Sequence, residues 1–451
     1  MPGIRWRVFF RKMGRAQDDI AKMGRAEFDA SSPAHRVAPA ASGRRTAWLI
    51  LAVALVARML VLATVLTRYP HDWLYHRGIE MGLLADSLVH GLGYSSPFGG
   101  ATGPTAFIAP GYPTMVAGIF LIFGSYTFAS AIVIMALQVL VSVATVALIM
   151  RVARETMDER TANLAGAFWA LSLPLLFIPT IFWETSLSAC ALVGMVALAL
   201  RCRRSPTIAA WVLLGSCAAL AGLINPALLP SLGAIVGWVA YETWRVSRTA
   251  PVVGVLGMLL LFSPWPIRNA IRFHAFIPTR TTVGLELWMG NRPGATGYLD
   301  ESIFPMYNKQ ELASYISMGE LAYTREKSSE AWGYIRAQPG TFVALSLRRF
   351  FRFWTGTGSQ NGSPIYAIHA LLTTVFGFTG LAMLYRRRMR CIADLMALPL
   401  LLFPLPYYIT HAEFRYRLNI DPLLTVLAAY AVTQLAGRLV VHEDAAPVIG
   451  E

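Results

Sequence analysis

Carboxylates, histidines and arginines gather in a few stretches of an otherwise apolar chain. In "RYPHDWLYHRGIEMGLLADSLVHG" (68–91), Asp72, His76 and Glu80 recur at four-residue spacing. On a helix such residues share a face and can converge on one ion or substrate, or simply face water. Met81, Leu84, Ala85 and Leu88 form an apolar stripe at helical period; Glu80 lies at its edge and Asp86 points away. A carboxylate held against apolar surface is costly unless it is paired or protonated, which is the setting that tunes a proton acceptor. Glu184, in "IFWETSLSA", opens a long apolar run at the same end of the molecule. An acid there is either functional or a helix cap.

Cationic groups follow. "SPWPIRNAIRFHAFIPTRTTVGLELWMGNRPGATGY" sets Arg268 and Arg272 one helical turn apart and places Asn291 and Arg292 in a glycine-rich turn. Guanidinium groups and free backbone N–H groups in such a turn suit a phosphate. "THAEFRYRLNIDP" adds His411, Glu413, Arg415, Tyr416 and Arg417; its two arginines need either local acids, Glu413 and Asp421, or an anionic ligand. "RRFFRFW" (348–354) alternates Arg349 and Arg352 with aromatic residues, as at a lipid headgroup boundary.

The elements that carry these residues are membrane helices. The 451-residue chain is 55% hydrophobic and only 14% charged, against about 25% charged in a soluble domain. Its net charge of +14 is explained by arginines between apolar runs, so nucleic-acid binding is not expected. Cys190, Cys202, Cys217 and Cys391 form no CxxC pair and read as packing residues.

About ten spans are expected, near 46–66, 126–150, 161–179, 185–201, 207–224, 227–243, 250–267, 364–385, 391–409 and 420–438. With the N-terminus inside, the short inner loops carry Arg151, Arg154, Arg160, Arg201, Arg203, Arg204, Arg245, Arg248 and "RRRMR" (386–390). The short outer turns near 180–184 and 225–227 carry no Lys or Arg. The expected organisation is an Arg-rich cytoplasmic tail over 1–45, a transmembrane domain over 46–440 and a cytoplasmic tail over 441–451. Its outer loops fall at about 67–125, 268–363 and 410–419, and the expected location is the inner (cytoplasmic) membrane with the site facing the periplasm or exterior.

The irregular stretch "GLGYSSPFGGATGPTAFIAPGYP" (91–113) belongs to the first outer loop. Lipid cannot satisfy its peptide groups, so it must lie outside the hydrocarbon or line a protein cavity.

Three places together resemble the GT-C membrane glycosyltransferases, in particular protein O-mannosyltransferases and lipid A aminoarabinose transferases. These are "ADSLVHGLGYSSPF…TAFIAPGYPTMVAGIFLIFG", "SPWPIRNAIRFHAFIPTRTTVGLELWMGNRPGATG" and "YYITHAEFRYRLNIDPLLTVLAAYA". The resemblance implies an all-α, polytopic GT-C-like bundle with interfacial helices in the first outer loop. It further implies an inverting transferase that moves a sugar from a polyprenyl-phosphate carrier to an acceptor (protein, glycan or lipid) at the outer membrane face. Aligning Ala85 and Leu88 with the family's first-loop pattern puts Arg77 at its acidic position. Glu80 is then the first candidate for general base, with Asp72 and Glu184 in reserve for acceptor positioning or a divalent cation such as Mg or Mn. Arg268, Asn291, Arg292, His411, Arg415, Tyr416 and Arg417 are the candidates for the carrier phosphate. The alternatives are a flippase for a lipid-linked saccharide and an inactive scaffold of the same fold. The first would lead one to expect an internal repeat and ionisable groups at mid-membrane; no obvious repeat is evident, and the central residues of the spans are almost uncharged.

Overall fold

The computed structural model describes residues 41–68, 79–357 and 364–443; Asp72 and His76 lie outside the described residues. The described chain is helical. In order, the helices are α1 (Ala41–Arg68), α2 (Ile79–Val89), α3 (Gly111–Phe123), α4 (Phe128–Thr156), α5 (Glu159–Leu171), α6 (Leu173–Phe177), α7 (Thr185–Arg204) and α8 (Ile208–Ile224). Then come α9 (Leu229–Thr243), α10 (Thr249–Phe262), α11 (Pro264–Phe273), α12 (Val283–Gly290), α13 (Lys309–Met318), α14 (Glu320–Ala337) and α15 (Pro339–Thr355). The chain closes with α16 (Pro364–Arg386), α17 (Arg390–Leu402), α18 (Leu405–Ile409), α19 (Phe414–Arg417) and α20 (Asp421–Glu443).

Each of the ten expected spans is helical. Six helices or helix pairs are long and apolar enough to cross a bilayer: Gly43–Arg68, Phe128–Thr156, Thr185–Arg204, Thr249–Phe273, Pro364–Arg386 and Arg390–Ile409. A seventh, Glu159–Leu171 with Leu173–Thr180, is bent by 61° at its break. The segments expected at 207–224, 227–243 and 420–438 are α8, α9 and α20; α8 and α9, of 17 and 15 residues, are shorter than that measure. They pack in the same bundle. An ideal Cβ on Gly215 would stand 2.1 Å from the Gly254 carbonyl oxygen, so α8 and α10 cross with backbones in contact.

Helix starts follow local chemistry. The side chains of Thr127, Asp158 and Thr207 accept hydrogen bonds from the first-turn amides of α4, α5 and α8.

Arg58, in the middle of the first span, is fully buried. Its Nε donates to Ser142 Oγ at 2.8 Å, Nη1 to the Ala170 carbonyl at 3.0 Å and Nη2 to the Trp169 carbonyl at 3.1 Å. Those carbonyls end α5 where the helix breaks. The cation satisfies acceptors that lipid would leave unpaired, and it meets the negative end of the helix dipole.

The segments expected to form the outer loops pack against one another. The loop between α2 and α3 folds back on itself through an antiparallel bridge between Ser95 and Pro104, with Ser96 N–H donating to the Gly103 carbonyl at 2.8 Å. Gly103 has φ +87°, a conformation that disfavours any side chain. Two charged residues from the second outer segment clamp this loop. Arg268, on α11, donates from Nη1 to the Thr105 carbonyl at 2.7 Å and from Nη2 to the Tyr94 carbonyl at 2.8 Å. Glu320 opens α14 and is buried. It accepts from the Ala106 amide at 2.8 Å, Thr281 Oγ1 at 2.7 Å, the Tyr315 hydroxyl at 2.7 Å and Thr105 Oγ1. The loop therefore gains its missing hydrogen-bond partners from protein, as irregular backbone beside a bilayer must.

Candidate functional site

Four short segments bring acids together. Glu80 lies in the first turn of α2, Glu184 at the start of α7, Glu286 in the first turn of α12 and Glu413 just before α19. The half-buried Glu80 feels the field of Arg415, Glu286 and Glu184. Burial raises its pKa above the ordinary carboxylate value, with the two neighbouring acids adding to the rise and Arg415 opposing it. Glu184 Oε2 is buried without a hydrogen-bond partner among the described residues. Glu80 and Glu184 thus lie in the field of one guanidinium, and Glu184 keeps an oxygen with no partner among the described residues.

Arg415 is that guanidinium. Its Nε donates to Glu413 at 2.6 Å, its plane lies 4.2 Å from the Trp183 ring centroid, and its Nη2 approaches the Tyr416 hydroxyl at 3.4 Å. Nη1 has no partner among the described residues. Tyr416 stacks on Tyr407 with centroids 4.5 Å apart. Its hydroxyl is 2.8 Å from His411 Nε2, and His411 Nδ1 is 3.1 Å from Glu286 Oε2. Burial holds the His411 pKa below its ordinary value, against the raising influence of Glu286 and Glu413.

His411 is seated by backbone contact. An ideal Cβ on Gly290 would sit 1.8 Å from the Thr410 carbonyl oxygen, so only glycine lets α12 pass this close to the residue before His411. The buried Arg349 of α15 reinforces the same junction. It donates to the Gly290 carbonyl, to Asn291 Oδ1 at 3.1 Å and to the Tyr408 carbonyl at 3.3 Å.

Of the residues the sequence singled out, Glu80, Glu184, His411, Arg415 and Tyr416 come together here. The others are engaged elsewhere. Arg268 holds the first outer loop, as described above. Buried Asn291 donates to the carbonyls of Leu287 and Ile409 and accepts from Arg349. Arg292 is ion-paired with Asp300.

Arg417 is fully buried. It pairs with Asp421 and donates to the Ala370 carbonyl, Thr373 and Thr374. Asp421 in turn meets His369 Nε2 at 2.9 Å, and His369 Nδ1 meets Ser172 Oγ at 2.8 Å at the break after α5. This chain of polar contacts ties the start of α20 and the body of α16 to the helix break.

Two members of the cluster escaped sequence reasoning. Glu286 is one turn into α12, within "TTVGLELWMG", and no charge pattern distinguishes it. Arg280 lies in the loop before α12, half-buried, with no hydrogen bond or ion pair among the described residues. It shares the surroundings of Tyr407 with Arg415, Glu184 and Glu286. Its loop is fixed by Thr281, whose amide donates to the Ala106 carbonyl at 3.1 Å and whose hydroxyl donates to Glu320. Among the described residues, no three His, Cys, Asp or Glu side chains are placed to hold a metal ion together.

No family model and no curated protein matches the chain. Solved structures do. An oligosaccharyltransferase from Archaeoglobus fulgidus, in complex with Zn and sulfate, aligns with a TM-score of 0.50 at 12% identity over 86% of this chain and 49% of its own. The same organism's AglB with an inhibitory peptide and dolichol-phosphate aligns at 0.45 and 14% identity, over 90% of this chain and 52% of its own. ArnT from Cupriavidus metallidurans bound to undecaprenyl phosphate aligns at 0.37 and 14% identity, over 88% and 79%. The chain spans about half the length of the oligosaccharyltransferase structures. At 12% identity the likeness is one of fold alone, a GT-C-like all-α membrane bundle.

Proposed function

We propose that this chain is an inverting glycosyltransferase that moves a sugar from a polyprenyl-phosphate carrier to an acceptor at the outer membrane face. The observation that carries the reading is the meeting of Glu80 and Glu184 with Arg415 and with Arg280, which has no ion pair among the described residues. Such a transfer needs a base on one side of the anomeric carbon and positive charge on the other.

Glu80 takes the proton from the acceptor hydroxyl as its oxygen attacks the anomeric carbon. The bond from that carbon to the carrier's phosphate oxygen breaks on the opposite face, so the configuration inverts. Negative charge grows on the departing phosphate, where Arg415 and Arg280 supply N–H donors fixed in place beforehand. Desolvation raises the basicity of Glu80, so it is a better proton acceptor than an exposed carboxylate. Glu184 orients the acceptor. A divalent cation is compatible with so many carboxylates, but among the described residues their placement defines no ligand set, and no step is routed through one. The arginines of the short inner loops support a topology with cytoplasmic termini and the site outside.

The test is native mass spectrometry of the purified protein with added undecaprenyl phosphate. Binding that survives Glu80→Gln but is lost in Arg280→Ala and Arg415→Ala supports the reading. Failure of the unmodified protein to retain the lipid would overturn it.

A further inference from the structure

We propose that the Glu286–His411–Tyr416 relay makes the Tyr416 hydroxyl a proton-switched donor, so that an anion bound at Arg415 is held together with one extra proton on His411. The inference rests on the carrier-phosphate reading of this site.

The geometry fixes the resting state. The Glu286 carboxylate accepts only, and it stands 3.1 Å from His411 Nδ1, near enough to favour a proton there although off the direct hydrogen-bond line. The imidazole is buried and kept neutral, so its one proton is on Nδ1. Nε2 is then an acceptor, and the Tyr416 hydroxyl at 2.8 Å must be the donor. In that state the phenolic proton points inward and is unavailable to a ligand. Burial also pushes the Tyr416 pKa well up, so the phenol keeps its proton throughout.

Protonating His411 at Nε2 reverses the contact. Nε2–H now donates to the phenolic oxygen, and the Tyr416 O–H is free to turn toward an anion at the adjacent guanidinium, whose Nη2 is 3.4 Å from the same oxygen. The charged groups facing His411 are Glu286 from α12, Glu413 and Arg415 beside and within α19, and Arg349 from α15. Two acids balance two arginines, so an arriving phosphate tips the local field toward the imidazolium. Linkage then requires the converse: a protonated His411 binds the anion more tightly.

The experiment measures undecaprenyl phosphate affinity for the full-length protein at about pH 6 and about pH 8, around the ordinary histidine range. Wild type, Tyr416→Phe and His411→Gln are compared. The lipid's own ionisation is common to all three, so differences between them belong to the protein. Tyr416→Phe should match wild type at the higher pH, where the hydroxyl points inward. At the lower pH it should bind about three- to tenfold more weakly, the most one proton can supply over this interval being larger. His411→Gln should lose the same pH-dependent increment. Calorimetry in two buffers of different ionisation enthalpy should show more proton uptake by wild type than by either variant.

If the three proteins share one pH dependence, or if Tyr416→Phe is weaker equally at both pH values, the switch is overturned and the carrier reading stands. If wild type binds the lipid at neither pH, the carrier reading falls and the switch falls with it.

Discussion

Replacing Glu320 by alanine tests how the outer-loop segments are held together. The carboxylate accepts four hydrogen bonds in a buried setting, from the Ala106 amide, Thr281, Tyr315 and Thr105. The threonine hydroxyls can rotate toward other acceptors. The Ala106 N–H and the Tyr315 hydroxyl have fewer alternatives. Stranding a buried donor costs about 1–3 kcal/mol, so two of them cost about 2–6, and about 3 kcal/mol is a conservative value toward the lower end. The effect is local, because Glu320 joins outer loops and touches no membrane helix of the bundle by hydrogen bond.

Hydrogen exchange measured by mass spectrometry reads this directly. The Ala106 amide bonds to Glu320, and the Thr281 amide bonds to the Ala106 carbonyl at 3.1 Å. If local opening sets their exchange, losing about 3 kcal/mol speeds it roughly 150-fold in peptides covering 94–108 and 276–283. Peptides from α4 and α7 should not change. Glu320→Gln keeps one accepting oxygen and should give about half the free-energy effect. Protection of the two loop peptides unchanged within about threefold in Glu320→Ala would refute the account of the clamp.

Other substitutions address the site and the bundle. Glu80→Gln should lower transfer by about 10²–10⁴-fold while leaving carrier binding intact, as steady-state rates beside a lipid-binding assay would reveal. With Glu80 as the proposed base and its pKa raised, transfer should fall as pH drops through a value above the ordinary ~4.3, and full activity should need the deprotonated form at higher pH. Arg417→Met leaves Asp421 buried without its cation and should cost about 3–5 kcal/mol, read as a lowered unfolding temperature. The double variant Arg417→Met/Asp421→Leu should recover part of that loss. Gly290→Ala forces the Thr410 backbone away and should weaken undecaprenyl phosphate binding more than it lowers the unfolding temperature, because the displacement is passed to His411.

The membrane architecture was legible because it rests on properties that act residue by residue. Apolar runs of spanning length and arginines in short loops follow from the cost of placing charge in hydrocarbon, and each expected span is helical. Arg58 shows where that logic stops. Its charge lies within an apolar run, and beside the Ala54 carbonyl of its own helix it is the break at the end of α5, far away in sequence, that supplies two further accepting carbonyls.

The same distinction runs through the site. Glu80 was found because it borders the apolar stripe of its own helix, and Arg415 because two arginines beside a span demand acids or a ligand. Glu286 and Arg280 matter only through what folds against them: Thr410 meeting Gly290, and Thr281 meeting Glu320. Sequence spacing likewise could not separate Arg415 from Arg417. They are two residues apart on one short helix, yet one faces Trp183 and the acids while the other faces Asp421 and α16. On a helix two positions differ by about 200°, so neighbouring arginines of equal charge are sent to opposite environments. One anchors the fold. The other stands at the candidate site, where its Nη1 has no partner among the described residues, and that asymmetry is why the proposed function assigns the phosphate to Arg415 rather than to the arginine pair.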